Sequence, residues 1–333
     1  LEEDKMNLRK KTLVTFASLV IGLGMGLAAR AATTWDMPTP YPDKTFHTQN
    51  IIMFAQDVAK ATGGALQIKV HSAGSLFKHS EIKNAVRGGQ VPIGEFFLST
   101  LSNENPVFGA DSLPFLATNY TEAKKLWDAQ RPVITKLLKK QGLMPLFSVP
   151  WPPQGLYTKK PINTVDDLKG IKFRAYNATL ELFANKIGAA PTQVEVPDIP
   201  QAFATGQVEA MITSPSTGAN SKAWDFVNYY TDIQAWLPKN IVVVNIKAFR
   251  KLDKKTQEAV LAAAQKAQAR GWEMSKKETA AKTAILKENG MKVVTPSPEL
   301  MAGLKKVGKE ILVDWRKTAG PEGAALLKAY EGK

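Results

Sequence analysis

The segment DLKGIKFRAYNATLELFANKIGAAPTQVEVPDIPQAFATGQVEAMITS, Asp167 to Ser214, decides how this chain is read. Its apolar runs at Ile171 to Arg174 and Ala210 to Thr213 have the length and bounding residues of strands. One residue breaks the pattern. Arg174 puts a guanidinium into a run that should be half buried, where its charge and its donors would both lose their water. It needs an anion: an acid of this chain, with Asp166, Asp167 and Glu195 as candidates, or a carboxylate that arrives from outside.

The same alternation of short apolar strands and amphipathic helices continues in both directions. Further strands are expected at Thr34 to Met37, Leu66 to Val70, Ile93 to Phe97, Leu146 to Val149, Ile241 to Asn245 and Met291 to Val294. A helix over Phe46 to Ala61 carries Ile51, Phe54, Val58 and Ala61 on one face, and another over Ser80 to Arg87 ends at a Gly88-Gly89 stop signal. This pattern predicts an α/β fold with substantial parallel content. The longest helix, Lys254 to Asn289 between an Asp253 cap and Gly290, would extend about 50 Å. That exceeds one compact lobe and suits a strut across two. The proline-rich run Val149 to Gly155 (VPWPPQG) reads as a crossover, because adjacent prolines stop a ladder and stiffen a connection.

Composition removes several functions. At 22% charged and 44% hydrophobic the chain is ordinary for a globular protein. Met6 to Lys11 is a cationic start, Thr12 to Leu27 an uncharged apolar run, and Ala29-Arg30-Ala31 a small-residue cleavage site, which together predict a secretory signal peptide cut after Ala31. Leu1 to Lys5 precede the first methionine and are set aside. Residues 1–31 hold five basic and three acidic residues, so the +14 of the whole chain becomes +12 in the exported part. The lysines between Lys266 and Lys287 are spread along a helical pattern without interleaved aromatics, which disfavours nucleic acid as a partner. With no cysteine there is neither a disulfide framework nor a thiol nucleophile, and His47, His71 and His79 are the only imidazoles. No zinc-type spacing and no G-x-S-x-G turn occur, so no metal and no cofactor are expected.

The motifs HSAGSLFKHSEIKNAVRGGQVPIG (His71 to Gly94), LPFLATNYTEA (Leu113 to Ala123), KKPINTVDDLKGIKFRAYN (Lys159 to Asn177) and IGAAPTQVEVPDIPQAFATGQVEA (Ile187 to Ala210), with the leader and the long helix after Phe249, carry a family resemblance. The chain resembles the solute-binding proteins of tripartite ATP-independent periplasmic (TRAP) transporters, the DctP-like family. The resemblance implies a two-lobe clamshell of mixed α/β lobes, not an enzyme, that holds a small organic acid in its cleft and delivers it to a membrane permease. With the crossover and strut, the lobes fall at 32–152 plus about 241–270 and at 153–240 plus about 271–333, behind a leader over 6–31. It also implies that Arg174 grips the ligand carboxylate and that the protein is periplasmic.

Departures from the family pattern narrow the ligand. Many relatives carry a second arginine where this chain has Gln154, and an asparagine where it has Thr213, followed by Ser214, Pro215 and Ser216. A neutral amide hydrogen-bonds without a full charge. Phe96, Phe97, Trp151 and Tyr157 supply aromatic surface near these positions, and Glu95 and Asn177 complete the candidate ligand-binding set. One cation with aromatic cover favours a monocarboxylate, such as a 2-oxo, 2-hydroxy or aromatic acid, with Thr213, Ser214 and Ser216 on the 2-oxygen and Phe96 or Trp151 over the body. The alternatives are a C4-dicarboxylate or sugar acid, which would need a further cation such as Lys78 or Lys239, and an exported enzyme using Asp198 or Glu209 as general acid or base. A structural or adhesion protein would need repeats or an anchor that this chain does not show. A clamshell closes around its ligand. X-ray scattering should therefore show a smaller radius of gyration at saturation, and an unchanged radius would contradict the hinge.

Overall fold

In the computed structural model, which describes residues 32–332, the strands expected from the apolar runs form three sheets. The leader assigned to residues 6–31 lies outside the described residues. In chain order the elements are β1 (Thr33–Pro38), α1 (Phe46–Ala61), β2 (Leu66–His71), α2 (His79–Gly88), β3 (Ile93–Phe97), α3 (Tyr120–Lys140), β4 (Leu143–Pro150) and β5 (Gly155–Thr158). There follow β6 (Lys172–Ala175), α4 (Ala178–Lys186), β7 (Ala190–Gln193), α5 (Ile199–Ala204), β8 (Ala210–Thr213), α6 (Pro215–Asn220) and β9 (Tyr229–Thr231). The chain ends with β10 (Lys239–Asn245), α7 (Ile246–Arg250), α8 (Lys254–Glu288), β11 (Lys292–Val294) and α9 (Pro298–Glu331).

The two larger sheets make the two-lobe α/β clamshell. One has the order β3-β10-β4, antiparallel throughout, with the wholly buried β10 at its centre. Beside it β1 and β2 pair in parallel. The other has the order β11-β9-β5-β8-β6-β7, parallel at β6–β7, β6–β8 and β9–β11 and antiparallel where β5 meets β8 and β9. The short strands β5, β7 and β9 carry no strong period of their own and emerge only as neighbours in this sheet. In α1 the expected face is buried except Ala61, which lies at the solvent end of the helix.

Two connections cross between these sheets, β4 to β5 and β9 to β10. They run side by side: Trp151 N–H donates to the Pro238 carbonyl at 2.7 Å, Gln154 N–H to Trp236 at 3.0 Å, and Ala235 N–H back to Gln154 at 2.9 Å. The prolines at 150, 152 and 153 thus sit where the ladder of one sheet ends.

The strut is α8. The Asp253 carboxylate accepts from the Thr256 N–H and hydroxyl, both at 2.9 Å, and so caps its first turn. Val260, Ala263, Ala264, Ala267, Gly271 and Ser275 are buried at three- and four-residue spacing while the lysines face outward. Its first half packs on α1 and β4, and its later half on α6 and β11. Trp272 Nε1 donates to the Ser148 carbonyl at 3.0 Å and Asn50 Nδ2 to the Ala267 carbonyl at 2.9 Å. Among the described residues no helix is long and apolar enough to cross a membrane.

Gly271 is where α8 lies closest to β4. A Cβ there would stand 2.4 Å from Val149 Cγ2 and 2.7 Å from Asn50 Nδ2. Gly271→Ala should destabilise the protein despite the gain of about 1 kcal/mol in helix propensity, because overpacking costs about 1–3 kcal/mol. Urea unfolding measures it, and a midpoint at or above that of the unaltered protein would show that the contact is loose.

Candidate ligand-binding site

Arg174 is the penultimate residue of β6, at the carboxyl end of a strand flanked in parallel by β7 and β8, where α/β layers open to ligands. Phe173 and Ala175 point into one apolar layer, so the period of two turns Arg174 to the opposite face. The side chain is 1% exposed. Its Nε donates to the Val194 carbonyl at 2.9 Å, and its Cζ lies 4.8 Å above the centre of the Tyr176 ring. Burial draws the guanidinium below its ordinary pKa, opposed by Tyr176, Glu195 and Tyr41; it remains charged. Among the described residues no carboxylate forms an ion pair with it and no hydrogen bond reaches its terminal nitrogens. Asp166 pairs with Lys169 at 2.8 Å, and Asp167 accepts the backbone N–H groups of Asn163 and Thr164.

Arg174 lines a slot together with Tyr41, Phe97, Trp151, Gln154, Tyr176, Glu195 and Thr213. Protein atoms leave about 380 Å³ unfilled there, including the open mouth. The apolar walls come from the other lobe. Tyr41 and Trp151 meet edge to face at 5.0 Å between ring centres. Both are held by one side chain: Asn240 Oδ1 accepts from Trp151 Nε1 at 2.9 Å and from the Tyr41 hydroxyl at 3.2 Å. Asn240 Nδ2 in turn donates to Glu95 at 3.0 Å, and Thr39 donates to the other Glu95 oxygen at 2.6 Å. Burial, then the charges of Glu95 and Glu195, hold the Tyr41 phenol well above its ordinary pKa, so it stays a donor. His47 is sealed in the same layer, with ring centres 4.1 Å from Phe46 and 4.3 Å from Trp151, and burial lowers its pKa.

At the slot's edge His79 joins two elements. The Phe97 N–H donates to His79 Nε2 at 2.9 Å, so that nitrogen carries no proton and Nδ1–H donates to Glu195 at 3.1 Å. Burial pushes the Glu195 carboxyl upward, but the hydrogen bond from His79, with the charge of Arg174, brings it below its ordinary value.

The structure brings five of the sequence candidates together at the slot: Arg174, Gln154, Trp151, Thr213 and Phe97. Among the described residues the Thr213 hydroxyl makes no hydrogen bond, which leaves it for a ligand. The remaining candidates do not line the slot, and each is engaged elsewhere. Ser214 caps α6 by accepting the Thr217 N–H at 3.0 Å, and Ser216 donates to Glu278 at 2.5 Å. Phe96, next to Phe97, points into the core, as the alternation of β3 requires. Glu95 acts on the aromatic walls through Asn240. Asn177 caps α4 and donates to Ser99 at 2.7 Å, tying the start of α4 to the segment after β3. Lys239 is fully buried 3.5 Å from Asp111, away from the slot, and neither Asp198 nor Glu209 reaches it. Tyr41, His79 and Tyr176 were missed by the sequence reading, and Glu195 was weighed only as an ion-pair partner. Tyr176 was within reach: two residues beyond Arg174, it falls on the same face of the strand.

Comparison with known proteins places this geometry. Residues 39–318 match the family described as "Bacterial extracellular solute-binding protein, family 7", DctP. Two solved Bordetella pertussis extracytoplasmic solute receptors, DctP6 and DctP7, described as binding pyroglutamic acid, are 44% and 47% identical to this chain. Each comparison covers 90% of this chain and 100% of the receptor, at a TM-score of 0.89. A marine-metagenome TRAP solute-binding protein, in complex with co-purified pyroglutamate, is 40% identical over 91% of this chain and 99% of its own, also at 0.89. An Albidiferax ferrireducens solute-binding protein is 25% identical over 85% of each chain. A clamshell with a buried, anion-seeking arginine at its cleft and a family match over nearly all the described residues leads to one conclusion: the chain belongs to the DctP family of TRAP-transporter solute-binding proteins, receptors for small acids.

Proposed function

We propose that this protein is an exported receptor for a small cyclic monocarboxylate of the pyroglutamate kind, which it hands to a TRAP-type membrane permease. The observation that carries the proposal is the pairing of one buried, unmatched guanidinium, Arg174, with a neutral amide, Gln154, in a slot between aromatic rings. A ligand carboxylate on Arg174 makes two parallel charge-assisted hydrogen bonds and removes the cost of the unpaired cation. A second carboxylate would find no cation and would face Glu195 instead. A five-membered lactam ring meets the other features: its faces suit Tyr41, Trp151 and Phe97, and its amide supplies one donor and one acceptor for Glu195, Thr213 and Gln154.

The similarity to receptors described as binding pyroglutamate supports the same reading at 40–47% identity. Delivery to a permease and a periplasmic location follow from the family and from the leader expected over residues 6–31. We place the lobe divisions at 152/153 and near 240 and 270, on the basis of the two side-by-side crossings and the strut. An enzymatic role for the slot's imidazole is opposed by its contacts, since both nitrogens of His79 are engaged by Phe97 and Glu195 and neither can take a substrate proton.

Calorimetric titration with a panel of acids should rank pyroglutamate above succinate, malate and fumarate; a C4-dicarboxylate as the tightest ligand would overturn the ligand assignment. Arg174→Lys keeps the charge but loses the planar fork, and should weaken binding by about 1.5–3 kcal/mol, roughly tenfold to a hundredfold, without unfolding the protein. Undiminished affinity in Arg174→Met would make Arg174 a structural residue.

A further inference from the structure

The polar wall of the slot is ordered by a chain of hydrogen bonds whose two ends each allow a single direction. At one end stands Trp236, 1% exposed, whose indole N–H can only donate, and it donates to the Tyr176 hydroxyl at 3.0 Å. At the other end stands the Pro152 carbonyl, which can only accept, and Gln154 Nε2 donates to it at 2.8 Å. Between them the Tyr176 hydroxyl lies 3.2 Å from Gln154 Oε1. Because Tyr176 already accepts from Trp236, its own proton goes to Gln154. Turning the Gln154 amide over would set its oxygen against the Pro152 carbonyl and its N–H₂ against a hydroxyl that already holds a donor. Gln154, 3% exposed and lining the slot, is therefore held in one orientation with a single Nε2–H left uncommitted.

We propose that Trp236 and Tyr176 are positioning residues for ligand specificity: they lock the Gln154 amide so that it presents an N–H donor, which selects an acid bearing a neutral carbonyl oxygen. This rests on the reading of the ligand as a cyclic amide acid and assigns its carbonyl to Gln154. Trp236 lies outside the slot lining and acts through Tyr176. Tyr176 has a second task, since its ring lies under Arg174, and removing the hydroxyl alone separates the two.

The test uses Tyr176→Phe and Trp236→Phe in the exported protein, with three probes of similar shape titrated by calorimetry. Pyroglutamate has a ring N–H and carbonyl, 5-oxotetrahydrofuran-2-carboxylate keeps the carbonyl alone, and cyclopentanecarboxylate has neither. The unaltered protein should bind both carbonyl-bearing acids more tightly than cyclopentanecarboxylate. Tyr176→Phe should weaken those two by roughly fivefold to tenfold, the scale of one hydrogen bond, while cyclopentanecarboxylate stays within about twofold. Trp236→Phe should lower the same ratio by a smaller factor, and it carries the test should Tyr176→Phe melt early. Equal losses for all three probes would overturn the positioning role and leave the ligand reading intact. An unaltered protein that does not favour the carbonyl-bearing acids would overturn both.

Discussion

A guanidinium withdrawn from water and, among the described residues, left without an anion is the constraint around which the cleft is organised. Arg174 retains one backbone acceptor, Val194, and an aromatic face, Tyr176, and these orient it without neutralising it. The remaining electrostatic demand points into the slot. In the proposed receptor a ligand carboxylate would meet that demand, and its capture would be coupled to closure of the cleft. The nearby acids are prevented from serving as substitutes by their own partners, Asp166 by Lys169, Asp167 by a turn, and Glu195 by His79.

The two walls of the slot are held by different physics. On the side of the three-stranded sheet the ligand would meet rings, and their placement is polar in origin: Glu95 turns the Asn240 amide, and Asn240 holds Tyr41 and Trp151 with a single oxygen. On the opposite side it would meet polar groups whose placement depends on packing, since Trp236 sits in the apolar core beside Phe183 and still reaches Tyr176 with its indole N–H. Buried polar networks that are fully satisfied specify one arrangement at modest net cost. Here they also decide which hydrogen-bonding character each wall presents.

These groups lie far apart along the chain. Tyr41 follows the first strand, Trp151 and Gln154 stand on one crossing, Trp236 and Pro238 on the other, and Arg174 and Tyr176 at the end of β6. Only the pairing of the two crossings with each other, 151 with 238 and 154 with 235 and 236, draws them to one place. The strut supports that geometry from behind, with Gly271 letting α8 approach β4 and Trp272 hydrogen-bonded to the strand that leads into the first crossing.

The sequence by itself determined the alternation of strands and helices, the long capped helix, the proline-rich crossing and the one arginine out of place, because each of these is a local property of period, cap chemistry or charge. It also distinguished Gln154 from a second cation. It could not separate Phe96 from Phe97, or Thr213 from Ser214 and Ser216, because one residue of strand register or one helix cap turns a side chain from cleft to core. The short strands β5, β7 and β9 were equally silent, three or four residues each, held in place by neighbours rather than by their own pattern. Glu95 and Asn177 were recognised as polar residues of the right region, but whether they touch a ligand or hold the residues that do is a matter of partners far away in sequence. Only the tertiary structure decided that, since a hydrogen bond between Glu95 and Asn240 spans 145 positions and leaves no trace in the local composition of either.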